Sequence, residues 1–216
     1  MSERELSQNE RNPSFLGQPK MERQITGKKD FSNVKLLANS VSNRMNNSIA
    51  TNITIAVGSR VQGQKCEIYV NDMPVKLDAR HVCYPDVVVV SGEPVFVDGE
   101  SDTLLNPTVS FDIFSKNTSF QDKTEKLECY LAMSSIREYI LIKEDEMRVE
   151  HYAKQNPKQW IYRIYNERDD IISVDSINCK LSLAEIYAQV KFGQPEVYAP
   201  QVKPAPPAEV KSQTVA

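Results

Sequence analysis

The stretch "CYPDVVVV" (Cys83 to Val90) constrains the fold of this chain more than any other. Four consecutive β-branched residues read as a strand buried in a sheet, and an aspartate stands immediately before them. Burying a carboxylate is costly unless something pairs with it. Two readings of Asp86 are therefore open. It is a turn residue, since Pro-Asp favours a tight turn before a strand, or it is a metal ligand held on a rigid strand end. A second acid in a β-like run bears on the choice. Within "TVSFDIFS", Asp112 lies between Phe111 and Ile113, and alternation turns it away from both. In mid-strand it either faces water on a half-exposed sheet or points at Asp86 across adjacent strands. Two carboxylates brought together repel, and a divalent cation relieves the repulsion. A hard ion such as Mg²⁺ takes oxygen ligands at about 2.0–2.1 Å, and a water acidified by such an ion can attack a phosphodiester.

The order of elements sets the fold class. Val34, Leu37, Val41 and Met45 recur at spacings of three and four, which predicts an amphipathic helix from Asn33 with Asp30 or Ser32 as its cap. "CEIYVNDMPVKL" reads as a hairpin turning at Asn71-Asp72. "VVVV" and "TVSFDIF" follow as strands, then a helix over "SFQDKTEKLECYLAM" that Ser119 can cap. "REYILI", "RVEHYAK" and "WIYRIYN" are further strands, and "LSLAEIYAQV" is a closing helix with Ser182 as cap and Glu185 three residues on. Helix, strands, helix, strands, helix is an α/β or α+β arrangement, a central mixed sheet flanked by helices. Residues 1–30 read as a polar arm, 31–192 as the folded domain, and 193–216, rich in Pro and Ala, as a disordered tail.

Composition excludes more than it selects. At 216 residues the chain supports one well-buried domain, and a net charge of -3 lacks the basic footprint of a dedicated DNA-binding domain. Cys66, Cys83, Cys129 and Cys179 show no Cys-x-x-Cys and no paired histidine spacing, so the spacing offers no structural zinc signature. The polar start carries no secretory signal and no apolar run reaches membrane-spanning length, which reads as a cytoplasmic protein with reduced thiols and no membrane partner. There is no Gly-rich phosphate loop. His81 and His151 are far apart, with no serine or cysteine motif near either. Trp160, Tyr162 and Tyr165 either stack on bases or pack across strands, and packing is the commoner use.

The helix after Asp112 offers a cation, Lys126, with Asp122 one turn before it and Tyr130 one turn after. Asp122 and Lys126 also have the spacing of a surface ion pair, worth about 0.2–0.5 kcal/mol. The segment from "YPDVVVV" through "SFDIFSKNTSFQDKTEKLECYLAMSSIREYILI", with "VNDMPVKL" before it and "VEHYAKQNPKQWIYRIY" after it, resembles the Uma2 family, restriction endonuclease-like proteins abundant in cyanobacteria. The likeness runs from about Asn33 to Val190. That family belongs to the PD-(D/E)XK nuclease superfamily, so the resemblance implies a mixed sheet flanked by helices and Mg²⁺-dependent hydrolysis of DNA phosphodiesters, Mn²⁺ being able to substitute. It implies Asp86 and Asp112 as metal ligands and catalytic groups, Lys126 as the catalytic lysine, and Ser115 and Asp122 as supports, with Asp122 orienting Lys126. DNA is the implied partner. A homodimer is one expected arrangement, because cutting both strands takes two sites or two visits.

The chain departs from the family pattern at several positions. Asp112 stands where relatives usually have Glu, and Phe114 where the superfamily's lysine would be. Asn33 replaces an expected His, Lys116 replaces a proline, and Glu22 is the one stand-in for an acid usual in the preceding segment. Two functions follow. One is a metal-dependent endonuclease. The other is a catalytically lapsed nuclease fold kept as a DNA-binding or protein-interaction module.

Overall fold

The computed structural model describes residues 43–97, 102–116 and 118–193, together with the backbone of Lys35–Leu37. Contacts divide the chain into Met1–Ser32, which lies outside the described residues, and Asn33–Ala216, to which everything below refers. The expected polar arm, most of the expected tail, and the positions of Glu22 and Asn33 also lie outside the described residues.

A six-stranded mixed sheet forms the centre. Its strands are β2 (Cys66–Val70), β5 (Val87–Ser91), β6 (Val109–Phe114), β7 (Glu138–Lys143), β8 (Val149–Asn156) and β9 (Gln159–Tyr165), in the order β2-β5-β6-β7-β8-β9. Only β6 and β7 run parallel; the other neighbours are antiparallel. A parallel pair needs a crossover, and α2 (Phe120–Ala132) supplies it. Ser119 begins this helix, its hydroxyl accepting the Asp122 N–H at 3.0 Å.

Alternation divides the core into two layers. Val87, Val89, Phe111, Ile113, Ile140 and Ile142 pack with the stripe Ile49, Ile53 and Val57 of α1 (Arg44–Val61). Val88, Val90, Tyr139 and Leu141 pack on the other side with Tyr130 of α2. With both sides covered, all four valines of β5 are fully buried, which is why that strand shows no polar alternation. Beside this sheet, β10 (Ile171–Val174) and β11 (Cys179–Ser182) form a hairpin joined by a short 3₁₀ turn, Asp175–Ile177. α3 (Leu183–Ile186) follows, begun by the expected capping box of Ser182 and Glu185.

Two expectations are corrected. The first helix does not begin at Asn33: Lys35–Leu37 is a strand, β1, parallel to β4 (His81–Cys83), and α1 begins at Arg44. Asn43 is its cap, with Oδ1 accepting the N–H groups of Met45 (2.8 Å) and Asn46 (3.0 Å). The apolar spacing from Val34 to Met45 runs across a strand and a helix start, and the stripe that docks lies further on, at Ile49, Ile53 and Val57. The second correction concerns "CEIYVNDMPVKL". The turn at Asn71 and Asp72 exists, with φ of 52° and 32°, but β2 pairs with β5 while β3 (Val75–Lys76) pairs with β4 in a separate three-stranded sheet of order β1-β4-β3. The Asn71 N–H donates to the Asp86 carbonyl at 2.9 Å, holding the chain beside β5. Among the described residues no helix is long and apolar enough to cross a membrane.

The phase of α1 is testable by urea unfolding. Ile53→Ala, at a fully buried position, should cost about 2–5 kcal/mol, whereas Ile55→Ala, at a side chain 66% exposed, should change stability by less than about 0.5 kcal/mol.

Candidate active site

β5 and β6 run antiparallel with Val87 opposite Phe111. One step further along the same register sets Asp86 opposite Asp112. Both carboxylates are buried, at 4% and 3% exposure. The backbone N–H of Ile113 donates to Asp86 Oδ2 at 2.7 Å, and Asn46 Nδ2, from the first turn of α1, donates to Oδ1 at 3.3 Å. On Asp112, Oδ1 accepts Lys126 Nζ at 2.8 Å and Oδ2 accepts the Tyr139 hydroxyl at 2.7 Å. Lys126 is itself 6% exposed, on the side of α2 turned to the sheet. The structure thus brings together Asp86, Asp112 and Lys126.

The electrostatics follow from burial and from one excess negative charge. Burial first, and then the Asp112 charge, push the Asp86 carboxyl up to about 6. Burial pushes the Lys126 ammonium down, but Asp112 and the groups around it outweigh that effect, so it is held above the ordinary lysine value. Burial, with Asp112 alongside, keeps the Tyr139 phenol protonated well above its usual range. Two opposed carboxylates offering only oxygen, with one cation beside Asp112, form a donor set suited to a hard divalent ion.

The two expected supports lie just beyond the end of β6 and in the first turn of α2. Ser115 is buried just beyond the end of β6, its N–H donating to Thr118 Oγ1 at 3.2 Å. Asp122 is exposed in the first turn of α2, where Oδ2 accepts the Ser119 hydroxyl at 2.7 Å. At the start of α2 the Asp122 carboxylate closes the helix cap with Ser119, whose hydroxyl in turn accepts the Asp122 N–H at 3.0 Å. A carboxylate on so short a side chain at the helix start is held by the cap serine, while Lys126, one turn on, faces inward.

Sequence reasoning missed Tyr139 and Asn46, which fix the carboxylates from 27 and 40 residues away. It also missed Glu144, buried at the end of β7, whose Oε2 accepts Asn43 Nδ2 at 3.0 Å and so ties the α1 cap to the sheet. Glu150 was missed as well. It lies across β7 from Asp112 and is held by Lys123 Nζ at 3.1 Å to each oxygen. Trp160 and Tyr162 pack across strands, with Tyr162 4.8 Å from Tyr152 and Lys154 over the Trp160 ring. His151 is a core residue bonded to Glu138 at 2.6 Å. A cleft of about 590 Å³ lined by Arg137, Glu138, Lys154 and Ser176 lies around the start of β7, and neither Asp86 nor Asp112 lines it.

A raised carboxylate has a signed consequence for stability. Between the unfolded value near 4 and the folded value of about 6, the folded state binds the extra proton, so this contribution is complete at low pH and is lost as pH rises through about 6. In protein kept in a chelator, Asp86→Asn should therefore raise the melting temperature at pH 8, by the equivalent of about 1–3 kcal/mol, and change it little at pH 4. Equal shifts at both pH values would contradict a carboxyl raised by burial and by Asp112.

Comparisons with known proteins bear on the fold and on the family. A curated relative, "Uncharacterized protein sll1609" of Synechocystis, is 28% identical over 141 residues, covering 65% of this chain and 80% of that one. A crystal structure of a "putative nuclease belonging to DUF820" from Anabaena variabilis superposes with a TM-score of 0.57 at 20% identity, covering 69% of this chain and 83% of that one, a likeness of fold. The model of the Uma2 family, described as "Putative restriction endonuclease", matches residues 27–185. That span is more than half of the chain and includes Asp86, Asp112 and Lys126: the chain belongs to the Uma2 family.

Proposed function

We propose that this chain is a Mg²⁺-dependent endodeoxyribonuclease of the PD-(D/E)XK type, with Mn²⁺ able to substitute. The observation that carries the reading is the opposition of Asp86 and Asp112 on adjacent strands, with the Lys126 ammonium 2.8 Å from Asp112. Asp86 and Asp112 would hold the ion, which when bound supplies an acidified water and neutralises charge on the phosphodiester. Ile113 N–H and Asn46 hold the Asp86 carboxylate in place, and Tyr139 does the same for Asp112. Lys126 keeps its proton at neutral pH, so it acts as a fixed positive charge toward the developing phosphorane and not as a general base. Cutting both strands of a duplex would call on two such sites, as in a homodimer.

A second reading has its own observation. Both oxygens of Asp112 are already bonded inside the protein, and the trio is buried. A family member that kept this ion pair as part of its core, with Asp in place of the usual Glu, would be a lapsed nuclease serving as a DNA-binding or protein-interaction module.

Cleavage of supercoiled plasmid in Mg²⁺ or Mn²⁺ separates the two. The nuclease reading expects nicking or linearisation that a chelator abolishes. Asp86→Asn and Asp112→Asn should slow it by about 10²–10³-fold while leaving the circular dichroism spectrum intact. Lys126→Ala is a poorer probe, because it strands a buried carboxylate at a cost of about 3–5 kcal/mol. Folded wild-type protein that cuts nothing with either ion would favour the lapsed reading.

A further inference from the structure

Along one flank of α2, beside the line of Lys126 and Tyr130, four side chains converge that the nuclease reading does not use. His81 opens β4, and its Nδ1 lies 2.7 Å from Asp78 Oδ2. Cys129 of α2 directs its Sγ to the same oxygen at 3.9 Å. The three donor atoms, nitrogen, oxygen and sulfur, lie within 4.8 Å of one another. From the far side of the ring, Glu125 Oε1 sits 3.3 Å from His81 Nε2. Glu125 and Cys129 are four residues apart on one side of α2, and Asp78 and His81 are three apart in a tight loop where the Leu77 N–H donates to the His81 carbonyl at 2.9 Å.

We infer that Asp78, His81 and Cys129 form a site for a borderline-soft divalent transition ion of the Zn²⁺ class. Three features support it over a solvated ion-pair network. A thiol contributes little to a hydrogen-bonded network, yet it is a strong ligand for this class of ion and a poor one for Mg²⁺. The Asp78 carboxylate is pre-oriented, since its Oδ1 accepts the N–H groups of Arg80 (2.6 Å) and His81 (3.0 Å) and leaves Oδ2 facing the ring and the sulfur. The carboxylate on the far nitrogen is the arrangement in which a ligating histidine donates its other N–H to an acid, which fixes the tautomer and the ring. Tetrahedral bonds of about 2.0–2.3 Å require donor atoms about 3.3–3.8 Å apart. The present separations bracket that range, and the exposed Asp78 side chain needs only a small outward turn from the imidazole. The fourth position would open to solvent on the side of Asp78.

Such a site would clamp the loop before β4 onto α2, three residues from Lys126. Sequence spacing gives no hint of it, because its ligands come from a loop and a helix about fifty residues apart, a distance no short motif covers.

The test is Co²⁺ titration of the full chain, stripped with chelator and kept reduced, followed by absorption and then by displacement with Zn²⁺. The expected result is one equivalent of Co²⁺ with thiolate-to-metal charge transfer in the near ultraviolet and the visible bands of a tetrahedral ion. Both should be lost in Cys129→Ser and in His81→Ala, retained in Asp112→Asn, and bleached by Zn²⁺. Absence of thiolate charge transfer in folded wild type, or its persistence in Cys129→Ser, would overturn the assignment. Asp112→Asn keeps this test independent of the nuclease site.

Discussion

The structure turns on two carboxylates held opposite each other in the interior, with a buried ammonium bonded to one of them. Asp86 and Asp112 are set there by the antiparallel register of β5 and β6, with Val87 opposite Phe111, and a one-residue slip would separate the two acids. Lys126 answers one of the two charges. At the other, burial first and then the Asp112 charge push the Asp86 carboxyl up to about 6. A fold that wanted only stability would place apolar side chains at these positions, because a buried ion pair seldom outdoes well-packed hydrocarbon. Instead the surroundings are built for the charges. Tyr139 and Ile113 N–H complete the hydrogen bonds, and Asn43 and Asn46 at the start of α1 tie that helix to Glu144 and Asp86.

α2 has two faces, each with a separate polar role. Its inner side delivers Lys126 to Asp112, with the stacked rings of Tyr130 and Tyr139 packed beneath at 4.3 Å. A neighbouring flank carries Glu125 and Cys129 toward Asp78 and His81. Because the helix is also the crossover between the two parallel strands, its placement fixes how deeply the ammonium sits. Whatever holds that flank therefore bears on the inner side.

Much of this was legible in the sequence, for reasons that differ by residue. Asp86 and Asp112 stood out because period-two alternation makes an acid in a β-branched run conspicuous. Lys126 did not stand out by spacing, where it resembled a surface ion pair with Asp122; its assignment came from the family resemblance. The strands of β7 to β9 and the caps Ser119 and Ser182 were readable because they are local. Failures came where structure is not local. Lys35–Leu37 lies in a run with helical spacing but forms a strand against β4, and the run after Cys66 has a true turn but partners β5 across the sheet. The hairpin of β10 and β11 carried no strong alternation and was not read at all. Tyr139 and Asn46 reach the carboxylates only through tertiary contacts, so no spacing pointed to them.

The central claim is that Asp86 and Asp112 together hold a hard divalent cation. Isothermal calorimetry with Mn²⁺ and Mg²⁺, on wild type and on Asp112→Asn, tests it without relying on a DNA substrate. The account predicts a site in the wild type that vanishes in Asp112→Asn, with proton release on binding near pH 6 as Asp86 gives up its proton. Wild-type protein that binds neither ion, or a variant that binds as well as the wild type, would contradict it.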